Sequence, residues 1–164
     1  MNAPADHGST TVRTDLVGTG AFVAVAALAV VWRDERPAQV AMAVSSMVLF
    51  AIGAFTGLAA YVQALERSRI DEIGVANLFL LTGTTAPAAV KRSMSLALVV
   101  QIVVGLAGAI VGAIGLRGSE VNSLAFGILV PMFGIGLNGL WAVRHGQFPP
   151  RLDKPVQPSR RRID

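Results

Sequence analysis

Charged and polar positions cluster along this chain and leave four windows, residues 16–32, 37–65, 93–116 and 121–143, with no Asp, Glu, Lys, Arg or His. The shortest window holds 17 residues, and the rest of each is mostly Ala, Val, Leu, Ile, Gly, Met and Phe. A helix rising ~1.5 Å per residue needs about 20 apolar residues to cross a hydrocarbon core. The pattern therefore predicts an all-α polytopic membrane protein with four transmembrane helices, at about 16–32, 38–65, 93–116 and 121–143. The second, if helical throughout, is ~42 Å long, so it must tilt or project, and it is expected to continue helically toward Arg69.

The remaining segments read as follows. Residues 1–15 are small and polar and are expected to be a disordered tail. Residues 66–92 form the one sizeable loop. Within it Ile73 to Leu81 is apolar but too short to span, so it either lies among headgroups or packs under the bundle. Thr84-Thr85-Ala86-Pro87 carries helix-start residues, which places the start of the third span near Ala86. Residues 144–164, rich in proline and arginine, are expected to be a second disordered tail, with Arg160, Arg161 and Arg162 contacting lipid headgroups. Ala27-Leu28-Ala29 has the small residues of a signal-peptidase site. The preceding segment, with one Arg against two Asp, is a poor basic region for a leader, so the first span is read as retained.

Composition agrees. Of 164 residues, 53% are hydrophobic and 15% charged, with a mean hydropathy of +0.59, whereas soluble domains average about 25% charged. The formal charge is +4. Its basic residues flank spans, so it reads as topology and not as a nucleic-acid surface. Four spans put residues 1–15, the loop 66–92 and the tail 144–164 on one side, with 11 basic residues against 3 on the other. The positive-inside rule reads this as both termini cytoplasmic, in a bacterial inner (cell) membrane. Trp32 is then expected at the outer interface, and Tyr61 and Trp141 at the inner one. The lack of cysteine excludes disulfides, thiolate metal sites and thiol catalysis.

Small residues mark where helices meet in lipid. In the third span Gln101, Gly105, Gly108 and Gly112 share a face. In the fourth, Gly127, Pro131, Gly134 and Asn138 do the same. Pairing Gln101 with Asn138, Gly105 with Gly134, Gly108 with Pro131 and Gly112 with Gly127 gives one constant residue-number total, as an antiparallel hairpin requires. Gln101 and Asn138 would then hydrogen-bond, and Pro131 would kink the fourth helix modestly. The second span carries Gly53 and Gly57 followed by Ala60, and the first carries Gly20, Ala24 and Ala27.

Catalytic chemistry is scarce. Gly134-Ile-Gly136-Leu-Asn-Gly139 matches a dinucleotide fingerprint in letters only, since it lies inside a span without the strand and acidic residue the mechanism needs. His7 and His145 fall outside the spans. No ionisable residue falls inside any window, which argues against ion-coupled transport and intramembrane haem. Glu66, Asp71 and Glu72 near Arg67 and Arg69 are read as a solvated helix end. No catalytic, cofactor or metal site is expected.

The stretch LAFGILVPMFGIGLNGLWAVRHGQFPPR, with KRSMSLALVVQIVVGLAGAIVGAIGL before it, resembles small four-span membrane proteins of actinobacteria that have no assigned activity. Arginine outnumbers lysine 12 to 2, as in GC-rich bacterial genomes. The resemblance covers the C-terminal half and implies a membrane location and a helical fold. The functional expectation is a non-catalytic integral membrane protein, a structural or accessory subunit or a homo-oligomer, whose partners are lipids and membrane proteins. The alternative is a small oligomeric transporter or channel for an uncharged or lipid-like solute, with a polar stripe from Ser45, Ser46, Thr56 and Gln63 facing Gln101.

Overall fold

The computed structural model describes residues 6–114 and 122–151. Within them the chain is helical: α1 (Asp6–Val31), α2 (Arg36–Arg67), a short α3 (Val75–Phe79), α4 (Ala88–Ile114), a 3-10 segment (Ser123–Leu129) and α5 (Pro131–His145). The only β pairing among these residues is an isolated bridge between Asp71 and Pro150. Four helical stretches are long and apolar enough to cross a membrane: Gly8–Val31, Arg36–Arg67, Ala88–Ile114 and Ser123–His145. This is consistent with a multi-pass membrane protein.

Three boundaries differ from expectation. Asp6 to Asp15 is not a disordered tail but the first part of α1. Asp15, Thr19, Phe22, Ala26 and Ala29 are all buried. Their spacing of three and four places them on one helical face, so the helix that buries Phe22 also buries Asp15. Later in the chain, Pro131 does more than kink a helix. Lacking an N–H, it is tolerated at the first turn of a helix and not inside one. The fourth span accordingly divides into a 3-10 segment up to Leu129 and an α-helix that begins at Pro131. Asn122 caps the 3-10 segment by accepting from the Ala125 N–H at 3.2 Å and donating to the Ala109 carbonyl at 2.9 Å. The third span begins at Ala88, two residues later than the Thr-Pro signal suggested.

The fourth span is the centre of the bundle. Of its most apolar stretch 61% is buried, against 22–28% for the other three. Its main neighbour is α2, with which it runs parallel. Gly53 faces Met132 and Phe133, Gly57 faces Gly136, and Ala60 faces Gly139, a nearly constant offset along two chains running the same way. A Cβ on Gly53 would fall among the backbone atoms of Met132 and Phe133, and one on Gly136 would strike the Gly53 carbonyl. Only glycine permits this approach.

Residues 66–92 pack under the bundle. Leu78 and Leu81 are 2% and 0% exposed and join Ala60, Ala64, Met94, Leu137 and Trp141 in one apolar core. Leu81 adopts a positive φ of 53°, a conformation leucine rarely takes, and its complete burial offsets that strain. A second core near the opposite end gathers Phe22, Ala26, Ala29, Met42, Leu124 and Val130. Trp141, expected at an interface, is 4% exposed and belongs to the first core. Tyr61 and Trp32, at 46% and 53%, face outward.

Candidate functional site

Between the two apolar cores lies a buried polar cluster built from three helices. From α4 comes Gln101, 0% exposed. Its Oε1 accepts the Gly134 N–H, in the first turn of α5, at 3.2 Å. That turn is short of acceptors, because backbone N–H groups at a helix start lack partners within the helix. With the carbonyl so engaged, Nε2 is turned toward α1. There it donates to Thr19 Oγ1 at 2.7 Å and to Asp15 Oδ1 at 3.3 Å. Asp15 is 0% exposed and Thr19 is 6% exposed. Asp15 Oδ2 is buried and has no hydrogen-bond partner.

This overturns the expectation that the spans contain no ionisable side chain. The charge-free window begins at Leu16, yet the spanning helix begins at Gly8 and carries Arg13 and Asp15 with it. Arg13 faces outward and Asp15 faces the bundle interior. The sequence held the signal in the spacing of Asp15, Thr19 and Phe22. A window bounded by its first charge could not show it.

The expected hairpin between the third and fourth spans forms in a different register. Gln101 meets Gly134 instead of Asn138, and Gly105 meets Gly127 instead of Gly134. Gly108 lies over Leu124 instead of Pro131, and Gly112 against Asn122 instead of Gly127. Each partner is displaced by four to seven residues. Two causes are visible. Gln101 is held by α1 as well as α5, and the close approach of Gly53 and Gly136 fixes the level of α5 on α2. Gly105 and Gly127 do approach closely, since a Cβ on Gly105 would lie 2.5 Å from the Gly127 carbonyl oxygen.

Asn138, 1% exposed, donates instead to the Phe79 carbonyl at 3.1 Å and so holds the short α3 against α5. Gly53 and Gly57 serve the α2–α5 contact. Pro131 opens α5. The fingerprint glycines Gly134, Gly136 and Gly139 face Gln101, α2 and Phe79 respectively, each a packing position. Arg160, Arg161 and Arg162 lie outside the described residues.

The polar stripe expected along α2 does not face Gln101. Ser45 Oγ donates to the Met42 carbonyl, Thr56 Oγ1 to Ile52 and Gly53, and Gln63 Nε2 to Ala59. All these acceptors belong to α2 itself. Ser46 is fully buried, and its Oγ has no partner.

At the loop end Arg67 engages Asp71, one of the three carboxylates expected to form a solvated helix end. Its Nε contacts Asp71 Oδ2 at 2.7 Å, its Nη1 and Nη2 donate to the Val143 and Gly146 carbonyls, and Phe148 lies 5.0 Å from it. Asp71 is thus bound to a structural cation. Among the described residues no group of three or more His, Asp or Glu is placed to hold a metal ion. No protein-family model matches the chain, and neither a curated protein nor a solved structure matches it.

Proposed function

We propose that this chain is a multi-pass inner-membrane protein with both termini cytoplasmic, and that it acts as a non-catalytic structural or accessory component assembling with itself or with a larger membrane complex. One observation carries the reading. Gly20 is exposed on α1 and nothing lies within 4 Å of where its Cβ would be, although the other glycines of the spans are nearly all used to bring helices together. Ala24 and Ala27 share that face, and Val17 and Val31, at 71% and 72% exposure, flank it. A shallow apolar trough on a spanning helix suits the backbone of a second helix better than disordered acyl chains, because association in lipid depends on close packing.

The orientation is supported by position. Arg67, Arg69, Lys91, Arg92, Arg144 and Arg151 gather at the end where α1 begins and α5 stops, and Arg33 and Arg36 lie at the other. Transport of an uncharged solute, the competing reading, needs a polar path, and of the α2 side chains that would line one Ser45, Thr56 and Gln63 are bonded to their own helix, which leaves Ser46 alone without a partner. The test uses the cysteine-free background. Ala24→Cys should crosslink in native membranes, and Gly20→Leu in the same chain should abolish the crosslink. A chain that runs only as a monomer in mild detergent, captures nothing and forms no crosslink would overturn the proposal.

A further inference from the structure

The Asp15 carboxyl stands in an environment that its visible partners do not balance. A carboxylate has two oxygens and about four lone-pair positions. Here one oxygen receives a single amide N–H at 3.3 Å and the other receives nothing. The donor is neutral. Among the described residues no Lys, Arg or His forms an ion pair with Asp15. The elements packed around it offer no cation at this depth, since residues 37–65, 93–114 and 122–143 contain no Asp, Glu, Lys, Arg or His. The nearest charges on those helices are at their ends. Lys91 and Arg92 precede Gln101 by nine or ten residues, ~14 Å along the helix, and Arg144 follows Gly134 by ten, ~15 Å. Arg13, on α1 itself, is exposed on the face turned away from the bundle.

An isolated carboxylate charge withdrawn from water is among the most costly groups to bury, and intramembrane carboxylates are rare and mark ion or proton sites. A purely packing role would be served by asparagine, which would offer Gln101 the same acceptor without the charge. The geometry also keeps the site from collapsing onto itself. Gln101 cannot turn its amide to cover Oδ2 without giving up the Gly134 N–H, and Thr19 Oγ1, which accepts from Gln101 Nε2, makes no hydrogen bond to Oδ2.

We propose that Asp15 is the seat of one exchangeable monovalent cation, a proton or an alkali ion, held at Oδ2 in the middle of the bundle. One negative charge calls for one positive charge. A divalent ion would leave the site with an excess charge, and calcium would want six or more oxygens, whereas the side chains here supply the two of Asp15 and that of Thr19. A proton needs only Oδ2. An alkali ion would draw on Oδ2 and Thr19 Oγ1. The occupant can exchange only when α1 separates from α4 and α5, so its binding and the closure of the bundle at Gln101 are one equilibrium.

The full-length chain in lipid nanodiscs provides the test, with infrared difference spectra and thermal unfolding recorded for the wild type and Asp15→Asn. If a proton is the occupant, the wild type shows a carboxylic-acid C=O band that Asp15→Asn lacks, and sodium does not alter unfolding. If an alkali ion is the occupant, that band is absent, the unfolding temperature of the wild type rises with sodium or lithium concentration, and Asp15→Asn loses the dependence. Should Asp15→Asn fail to fold, Asp15→Glu replaces it: the extra methylene must shift the acid band or change the alkali concentration at half effect by tenfold or more. An ionised Asp15 in a wild type whose unfolding ignores sodium, lithium and potassium overturns the proposal. None of these readouts depends on whether the chain self-associates, so the assembly reading and the cation site stand or fall separately.

Discussion

Arg67, the last residue of α2, contacts Asp71 one turn beyond at 2.7 Å, and the pair aims the rest of the guanidinium at the end of α5. Nη1 and Nη2 reach the carbonyls of Val143 and Gly146 at 2.9 and 3.1 Å. These belong to the groups a helix end leaves without N–H partners, and a cation is doubly favoured there by hydrogen bonding and by the helix dipole. The backbone bonds from Glu72 N to Pro149 O and from Arg151 N to Ile70 O extend the same tie.

Replacing Arg67 should therefore loosen two helix ends together. Arg67→Ala is expected to cost about 2 kcal/mol, the worth of one or two charge-assisted bonds after discounting for a side chain one-third exposed. Arg67→Lys keeps the charge but not the planar fork, and should recover less than half of that loss. Unfolding titrations in mixed micelles measure both, and equal stability of the lysine variant and wild type would show that charge alone suffices.

The parallel contact of α2 with α5 predicts a steep dependence on one methyl group. Gly136→Ala places a Cβ against the Gly53 carbonyl and Gly53→Ala places one among the backbone of Met132 and Phe133. Neither obstacle is a flexible side chain, so the helices must separate, at about 1–3 kcal/mol each. Gly20→Ala meets nothing within 4 Å and should leave monomer unfolding unchanged. The same titrations decide the point.

What the sequence disclosed follows from which forces act locally. Four apolar windows announced four spans, because a bilayer imposes a length on every crossing helix. The small residues announced close packing, and Gly53, Gly57, Gly105 and Gly127 are used that way. Their partners were not legible. The constant total linking the third and fourth spans assumed that both are regular helices and that neighbours in sequence are principal neighbours in space. Pro131 breaks the first assumption and the Gly53–Gly136 contact the second. The ionisable Asp15 was hidden for another reason. Charge-free windows find the apolar part of a span, and a buried carboxylate at its margin looks like the first residue of a tail. The spacing of Asp15, Thr19 and Phe22 puts them on one helical face, and the burial of Asp15 and Thr19 against Gln101 decides between the two cases.

Asn138 supplies a prediction about dynamics. Its Nδ2 donates to the Phe79 carbonyl at 3.1 Å, among the described residues the one side-chain bond between α5 and the segment around α3. Asn138→Leu keeps the branched shape and removes the donor. A neutral hydrogen bond is worth about 1 kcal/mol net, so amide hydrogen exchange from Val75 to Leu81 should quicken about five- to tenfold, with α2 and α4 unaffected. Uniform acceleration across the chain would show that Asn138 supports the whole bundle and not the loop in particular.

The orientation can be read with single cysteines, since the native chain has none. Asp34, with a side chain 95% exposed, lies in the turn between α1 and α2, and Thr84 is exposed in the loop before α4. If the basic residues hold their end in the cytoplasm, as their 11 to 3 distribution argues, a membrane-impermeant maleimide will label Asp34→Cys in intact cells and Thr84→Cys only after permeabilisation. The inverse pattern would reverse the topology while leaving every helix contact in place, because the bundle's packing does not depend on which compartment its loop end faces. Labelling of both sites in intact cells would be the more serious result, since no single orientation of four spans exposes both ends to one side.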